Sequence, residues 1–392
     1  MRILGMLSGT SHDGIDTAVV DFELDGETLV GTVIDTGSTP YDPALRKALV
    51  AALPPASLDF GVACRLDTLI GQAFAEVAAA TIARSGPVDW ICSHGQTVFH
   101  WVEGTHARGT LQIGQPAWIA ERTGVPVVAD VRVRDVTVGG HGAPLVSLMD
   151  TLLLAGLPGR PAALNLGGIA NMTVLHGQTG PFAYDLGPAN ALIDAAIVAA
   201  TGGAQDHDHD GRVAASGRVD PGLLEDLLAE PYYRLPPPKS TGKELFNGAY
   251  LDTAVARHPG IPAADLVATV TALTAEVVAS EARAHGVDMI VASGGGCRNP
   301  TLMAMLRERA AGIEIRLTSE FGAPTDAKEA IAFALIAWHT VHGLAAIVPS
   351  CTGARQAGVL GAIVPGRDPL RLPAPEPAAP LALRLRPGPT SA

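Results

Sequence analysis

The sequence predicts an α/β protein built from two similar halves, each a mixed β-sheet with helices on its faces. Two observations carry this prediction. An order of three strands followed by alternating helices and strands occurs twice along the chain, and residues 75–96 and 275–296 share their hydrophobic period and break points. With 392 residues, the chain is long enough for two or three domains.

The first half begins with a predicted three-stranded meander, because segments rich in β-branched residues are separated by turn residues. An amphipathic helix, two further strands and a closing helix follow. The predicted strands are 3–8, 15–24, 28–36, 88–93 and 126–131, and the helices are 69–85 and 144–157.

The second half repeats this order around a glycine turn at 167–171 and a second turn at 176–180. Its predicted strands are 162–166, 172–175, 182–185, 287–293 and 313–317, and its helices are 266–285 and 326–341. We therefore expect lobe I at 1–150, lobe II at 160–348, a return segment at 349–365 and a poorly ordered Pro/Ala-rich tail at 366–392. Two such lobes around a cleft are the duplicated actin-like (ribonuclease H-like) architecture, in which a ligand binds between the lobes.

Composition narrows the class of protein. A net charge of −12 argues against a nucleic-acid partner, which normally requires a basic surface. Four cysteines without a C-x-x-C pair indicate a reduced, cytoplasmic setting. The N-terminus has no signal-peptide pattern. The longest apolar run, 330–348, contains His339, Thr340 and His342, which favours a buried helix over a membrane span.

The polar turn after the first strand is typical of phosphate binding, because glycine lets backbone N–H groups approach an anion and hydroxyls add donors. Nearby carboxylates are candidate Mg²⁺ ligands, here Asp13 and Asp16. The alternative is an ordinary polar hairpin turn. The candidate phosphate-binding residues are Gly9, Thr10, Ser11, His12, Asp13, Gly14, Ile15 and Asp16, together with Gly167, Gly168 and Asn171 in the second half. Neither a Walker A motif nor a strand-following G-x-G-x-x-G occurs in the chain.

Two further stretches in the second half carry polar chemistry. Asp185 ends a predicted strand just before a helix and is the candidate general base, with an N-cap or turn aspartate as the alternative. Gly294, Gly295 and Gly296 follow a strand and precede a helix, which suits close approach of a flat adenosine. A tight strand–helix turn is the other interpretation.

In the first half, His94 and Gln96 end a strand and are candidate substrate contacts, as are Asp130 and Arg132 after the next strand. A metal site or a plain core histidine are the alternatives for His94. The tract 206–211 begins like a calcium loop, but its twelfth position is Gly217 rather than Glu, so calcium is rejected. A solvated loop is preferred there, with a His/Asp metal tract left open.

Several motifs together resemble the anhydro-N-acetylmuramic acid kinases, a family of the actin-like kinase superfamily. The resemblance runs in order from about residue 3 to residue 365. The motifs that carry it are Gly5–Asp16, Ser93–Thr97, Ala129–Arg132, Gly142–Leu145, Asn165–Asn171, Asp185–Asn190, Pro236–Glu244 and Glu329–Phe333.

The resemblance implies an ATP- and Mg²⁺-dependent enzyme that hydrolytically opens the 1,6-anhydro ring and forms N-acetylmuramic acid 6-phosphate in cell-wall recycling. It implies that the turn 9–16 binds ATP phosphates, that Asp185 is the base, that Asn190 and Glu329 contact the sugar, and that the enzyme is a homodimer. Leu186 departs from the usual Thr, and Ser350-Cys351 from the usual Ala-Val. Lys239 and Lys243 fall in one motif, but no role for either follows from the sequence.

Two other functions remain open from the residues alone. An ordinary hexose kinase of the same fold would use Asp185 to deprotonate the sugar instead of water. A chaperone-like ATPase would hydrolyse ATP without a phosphorylated sugar product.

Overall fold

The computed structural model describes residues 1–104, 106–175, 180–237, 239–242 and 244–388. Most of the predicted turn at 176–180, as well as Lys243, lies outside the described residues. The chain forms two compact units. Unit 1 comprises Met1–Gly156, Phe321–Ala323 and Ala327–Ala392, and unit 2 comprises Leu157–Glu320 and Pro324–Asp326.

The regular elements follow closely the order predicted from the sequence. The strands are β1 (Arg2–Ser8), β2 (Gly14–Asp25), β3 (Thr28–Pro40), β4 (Trp90–Glu103), β5 (His106–Ile113), β6 (Val127–Ala129), β7 (Pro161–Leu166), β8 (Ile169–Val174), β9 (Phe182–Pro188), β10 (Met289–Ser293), β11 (Glu314–Leu317), β12 (Ala362–Val364) and β13 (Ala382–Pro387). The helices are α1 (Pro43–Ala52), α2 (Phe60–Ser85), α3 (Pro116–Thr123), α4 (Val133–Thr137), α5 (Ser147–Leu154), α6 (Asn190–Thr201), α7 (Arg212–Ser216), α8 (Pro221–Leu228), α9 (Gly248–Val255), α10 (Ala263–Ala284), α11 (Pro300–Arg309), α12 (Lys328–Val341) and α13 (Pro349–Thr352).

Unit 1 is built on a sheet of strand order β12-β6-β4-β1-β2-β3-β13, to which β5 adds as the hairpin partner of β4. Strand β1 is antiparallel to β2 and parallel to β4. Its side chains alternate between faces, so Ile3 belongs to a core cluster with α5 and α12, whereas Leu4 belongs to a cluster with α1, α2 and α3. Both faces of this sheet are therefore covered by helices.

Unit 2 repeats this topology. Its sheet has the order β11-β10-β7-β8-β9, with β7 antiparallel to β8 and parallel to β10. This matches the order β6-β4-β1-β2-β3 of unit 1, strand for strand and direction for direction. The predicted duplication and the actin-like α/β fold class are thus confirmed. One continuous core joins this sheet to helices α6–α11.

Helix α12 lies in unit 1, where it packs on β1, β2 and β4. The sequence had placed it in lobe II, so the structure differs from the predicted boundary. The close approach explains why: a Cβ on Gly5 of β1 would lie 2.0 Å from the carbonyl oxygen of Ala330, so the helix rests directly on the strand backbone. Nearly every α12 side chain is buried, as the apolar run predicted.

The C-terminal segment is also better ordered than predicted. Strand β13 pairs in parallel with β3 from Ala382 to Pro387, and Leu383 and Leu385 are buried in the unit 1 core. The prediction of a poorly ordered tail is therefore wrong for these residues, because alternating leucines in "ALRLRP" supply an edge strand despite the proline-rich approach.

Helices α2 and α10 are long and apolar enough to cross a membrane, judged by length and composition alone. The most apolar window of α10 is 72% buried inside the protein, and that of α2 is 39% buried. Burial on this scale in α10 is typical of a core helix.

Candidate active site

The turn between β1 and β2 presents exposed hydroxyl and carboxylate groups. The amide of His12 donates to the carbonyl of Gly9 (3.2 Å), and Ser11 Oγ donates to Asp13 Oδ1 (2.6 Å). Thr10, Ser11 and Asp13 are exposed, and His12 has the left-handed φ of 53°. A non-glycine residue in this conformation is uncommon and concentrates at functional turns. The predicted phosphate turn is thus a compact loop with its donors at the surface.

Gln96 lies fully buried beneath this turn. Its Nε2 donates to the carbonyls of Gly9 (3.2 Å) and Thr97 (3.1 Å), and its Oε1 accepts from Ser8 Oγ (2.7 Å). In this structure the amide is occupied in holding the β1–β2 turn. The expectation that Gln96 contacts a sugar stays a prediction.

His94 and Arg132 form a hydrogen-bonded pair in unit 1. Arg132 Nε donates to His94 Nε2 (2.7 Å), and the His94 Nδ1 group donates to the carbonyl of Gly95 (3.0 Å). Burial and the Arg132 charge lower the pKa of His94 to about 3, so the ring is neutral at physiological pH. Arg132 also donates to the carbonyl of Gly142. In this structure both ring nitrogens of His94 are therefore hydrogen-bonded, one to Arg132 and the other to Gly95.

A group of charges surrounds this arginine. Burial raises the pKa of Glu329, whereas Arg132 and Lys328 lower it and Asp16 raises it further. Lys328 itself is buried and lies 2.6 Å from Asp150. Unit 1 thus brings together three residues predicted separately, Asp16, Arg132 and Glu329, from β2, the segment after β6 and α12.

Asp130 and Asp135 have different surroundings. Asp130 is exposed and has a φ of 52°, which places strained backbone at the end of β6. Asp135 is fully buried and accepts hydrogen bonds from the amide of Gly142 (2.6 Å) and from Thr352 Oγ1 (2.7 Å). No motif in the sequence singles out this residue. This carboxylate joins the 139–142 loop to α13.

In unit 2, the glycine turn between β7 and β8 is tied to the start of α6. The amides of Ala189 and Ala191 donate to the carbonyl of Gly168 (2.9 and 3.0 Å), and that of Asn190 donates to Gly167 (3.0 Å). Asn190 Nδ2 also donates to the carbonyl of Leu166 (3.2 Å). The side chain that was predicted to contact the sugar therefore also supports the turn.

A row of polar residues crosses the unit 2 sheet. Strand pairing places Ser293 opposite Asn165, Asn165 opposite Asn171, and Asn171 opposite Asp185. Residues paired directly across strands point to the same face of a sheet. The predicted base and the predicted phosphate contact Asn171 are thus neighbours. Asn165, the first residue of the 165–171 motif, belongs to the same row.

Asp185 is partly buried and held on several sides. Its Oδ2 accepts from Ser240 Oγ (2.7 Å) and the amide of Thr241 (3.1 Å), and its backbone carbonyl accepts from the Tyr232 hydroxyl (2.6 Å). Burial raises the pKa of Asp185 above the ordinary value, although the bonds from Ser240 and Thr241 lower it and the charge of Glu244 raises it. A carboxylate with a raised pKa is a stronger base at neutral pH.

The glycines after β10 pack against the end of β7. A Cβ on Gly294, whose φ is 89°, would lie 2.5 Å from Asn165 Oδ1, and one on Gly296 would lie 2.7 Å from Leu166 Cβ. A Cβ on Gly295 would have, among the described residues, only the end of the Arg298 side chain near it, at 3.6 Å. The structure therefore brings the predicted adenosine loop to the glycine turn, and packing alone accounts for two of its three glycines.

A family model described as "Anhydro-N-acetylmuramic acid kinase" matches residues 1–366. The chain belongs to this kinase family. A relative of the same name from Streptomyces coelicolor is 54% identical over 391 residues, covering 99% of this chain and all of the relative. Another from Rhodococcus erythropolis is 51% identical over 394 residues, with 98% and 99% covered. The resemblance predicted from the motifs, and with it the kinase class, is confirmed.

Among solved structures, the activator of the 2-hydroxyisocaproyl-CoA dehydratase from Clostridium difficile is similar with a TM-score of 0.43 and 11% identity. The match covers 86% of this chain and 94% of that one. Such a likeness says nothing about substrate.

Of the residues that depart from the usual pattern of the anhydro-N-acetylmuramic acid kinase family, Leu186 and Cys351 are buried, whereas Ser350 is exposed. Leu186 is fully buried, because side chains alternate along β9 and Asp185 points the other way. A hydroxyl at this position would therefore lie in the core of unit 2. Cys351 is also buried, and burial raises the pKa of its thiol to about 12, which leaves it unreactive.

The tract 206–211 is largely a surface loop, as predicted. Asp206, His207 and His209 are exposed, with ligand atoms within 4.8 Å of one another. Asp208 is buried instead and accepts from the amides of Val213 (2.9 Å) and Ala214 (3.0 Å). This carboxylate therefore fixes the start of α7.

Proposed function

We propose that this enzyme uses ATP and water to open the 1,6-anhydro ring of anhydro-N-acetylmuramic acid and releases N-acetylmuramic acid 6-phosphate. The names of the relatives support the substrate. The observation that carries the chemistry is Asp185, a partly buried residue whose carboxylate is held by Ser240 and Thr241 and whose backbone carbonyl is held by Tyr232.

In the proposed reaction, Asp185 accepts a proton from water as the water oxygen bonds to the anomeric carbon. The bond between that carbon and the 6-oxygen breaks. The released 6-oxygen bonds to the γ-phosphorus of ATP, and ADP leaves. Fixing the base before substrate arrives saves reorganisation in the transition state, which is the main contribution a preorganised site makes.

We assign the turn 9–16 of unit 1 and Gly167, Gly168 and Asn171 of unit 2 to ATP phosphates, and Gly294–Gly296 to adenosine. Exposed Thr10 and Ser11 supply hydroxyl donors in the first turn. The open space beside Gly295, where the described residues would place only the end of the Arg298 side chain near an added Cβ, supports the adenosine assignment.

Mg²⁺ fits the carboxylates of the first turn. Asp13 is exposed, and Asp16 is close enough to Glu329 to raise its pKa, so negative charge accumulates there. Mg²⁺ needs only one or two protein carboxylates because it keeps several waters. Bound there, the ion would spread the charge of the transferring phosphoryl group. Asp13 and Asp16 are the residues we assign to hold it.

We assign Asp130, Arg132, Asn190 and Glu329 to the sugar, with His94 acting on it through Arg132. Gln96 supports the β1–β2 turn that we assign to the ATP phosphates. We further propose that the enzyme is a cytoplasmic homodimer, on the strength of the family resemblance and the cysteine pattern.

The decisive test uses water labelled with heavy oxygen. Label at the anomeric carbon of the phosphorylated product is expected. Its absence, with phosphorylation retained, would identify an ordinary hexose kinase, and ATP hydrolysis without a sugar phosphate would identify a mere ATPase.

The base assignment is tested by Asp185→Asn. We expect turnover to fall by at least about 10²-fold with ATP and sugar binding retained, because the proton acceptor is lost. Asp252→Asn, an exposed aspartate on α9, is the matched control and should be fully active. In the parent enzyme, activity should fall as the pH drops through the raised pKa of Asp185, because the base must be ionised. Near-normal turnover in Asp185→Asn would remove the role.

A further inference from the structure

The 239–242 segment, which supplies both groups that hold Asp185 Oδ2, has no regular secondary structure. Its attachment to β9 is reciprocal: the amide of Asp185 donates to the carbonyl of Lys239 (3.1 Å), while Ser240 and Thr241 donate to the Asp185 carboxylate. An irregular segment of this kind keeps its shape only if something else fixes it. The geometry of the base therefore depends on how the segment is anchored.

The anchor is the side chain of Lys239, which turns into the core of unit 2. Only 3% of this side chain is exposed. Its Nζ lies 3.2 Å from Glu281 Oε1 on α10 and donates to the carbonyl of Tyr233 (3.3 Å). The same ammonium lies 5.0 Å from the centre of the Tyr232 ring.

Two of the groups around the ammonium, Glu281 and Tyr232, also contact Asp185 or the residue before it. Glu281 also accepts from the hydroxyl of Tyr184, the residue preceding Asp185 (2.8 Å). Tyr232, under the ammonium, donates its hydroxyl to the Asp185 carbonyl. Lys239 thus fixes the segment that holds the Asp185 carboxylate and contacts a tyrosine that holds its backbone.

A buried ion pair is a poor way to gain stability, because desolvation offsets most of the attraction and an apolar pair of similar volume often does as well. What the buried ion pair does supply is a defined geometry, because the ammonium has to donate hydrogen bonds to the Glu281 carboxylate and the Tyr233 carbonyl. We infer that Lys239 is a positioning residue for the proposed base, holding the 239–242 segment, and through it the Asp185 carboxylate, in the reactive orientation. This inference rests on the proposed function of Asp185.

The test is Lys239→Met, which keeps the length and apolar stem but removes the charge. We expect kcat to fall by about 10²-fold, the size of effect that a displacement of about 1 Å can have on a reacting group, with both KM values little changed. Lys47→Met, on an exposed lysine of α1, is the matched control and should leave kinetics unchanged.

The pH profile separates positioning from mere folding. The bonds from Ser240 and Thr241 favour the ionised form of Asp185, so loosening them raises its pKa further and moves the acidic limb of kcat/KM to higher pH. Among the described residues, the other ionisable groups whose charges or hydrogen bonds face this site are Glu244 and Tyr232 around Asp185, and Glu281, Tyr184 and His285 around Lys239. A stability role alone would lower the melting temperature and leave the limb in place.

If Lys239→Met does not fold, Glu281→Gln is the second variant, because it retains the shape and an oxygen acceptor for Nζ. It should move the same limb in the same direction. Where both fold, the double variant should be no worse than Lys239→Met, since the two side chains act as one unit. An unmoved limb with normal kcat in either folded variant overturns the inference, even when Asp185→Asn is inactive. An active Asp185→Asn overturns the proposed base and this inference together.

Discussion

Replacing Gln96 by Met separates two roles for this residue, a support of the β1–β2 turn or a contact with the sugar. Met has a similar length and suits a fully buried position, but it removes the donors to Gly9 and Thr97 and the acceptor for Ser8. Ser8 keeps its bond to the carbonyl of Gly14 (2.7 Å), and the Gly9 carbonyl lies in a turn that water can reach. We therefore take the lower part of the range for lost hydrogen bonds, about 2 kcal/mol in all.

If ATP binding has to order the turn in the variant, its binding free energy becomes weaker by this amount. The affinity for ATP then falls by up to about 30-fold, since each 1.4 kcal/mol is tenfold. The sugar KM should stay near its normal value. Isothermal titration with a non-hydrolysable ATP analogue and steady-state kinetics with varied sugar measure the two effects. Gln115→Met, on an exposed glutamine before α3, is the control. A large rise in sugar KM with unchanged ATP affinity would refute the supporting role.

Two further predictions concern stability. Leu186→Thr, which restores the usual family residue, should lower the free energy of unfolding by about 2–4 kcal/mol without raising kcat, because it buries a hydroxyl in the core. Urea denaturation measures this change, with the exposed Leu235→Thr as the control. A clear rise in kcat would assign position 186 to the active site. Removing residues 379–392 should cost about 3–6 kcal/mol, because it exposes the surface now covered by Leu383 and Leu385 and removes β13 from the outer edge of β3. Leu381→Ser, at an exposed leucine just before β13, is the control and should leave the melting temperature unchanged. Equal melting temperatures for the truncated and the parent enzyme would show that β13 contributes nothing.

The repeated strand order was predictable because each half contains complete local signals. Strand β2, for example, begins after a Gly-containing polar turn and ends at Asp25-Gly26, and its β-branched residues favour a strand. The place of α12 was not predictable in the same way. Its order along the chain assigned it to the second half, whereas the decisive fact is the absence of a side chain on Gly5, which matters only once β1 and α12 lie against each other.

Some residues of the candidate site were likewise predictable from a local pattern, and others depend on partners far away in the sequence. Asp185 stood out because a carboxylate at a strand end before a helix is a local pattern. The groups that tune it come from 55 and 56 residues away along the chain, so no local pattern points to Ser240 or Thr241. No local pattern points to Asp135 either, because its partner Thr352 lies 217 residues away along the chain. The roles of His94 and Gln96 also depended on partners that only tertiary structure reveals.

The discontinuity of unit 1 bears on how the chain is made. During synthesis, residues 1–156 leave the ribosome long before α12 and β13, so the face of β1 that carries Ile3 and Leu7 lacks α12, the helix that packs directly on this strand. Unit 2, which lies almost wholly within one uninterrupted stretch, has all but three of its residues by Glu320. Unit 2 is thus the first of the two units that is able to finish folding, and the sheet of unit 1 keeps part of an apolar face exposed until residues 321–392 have been made.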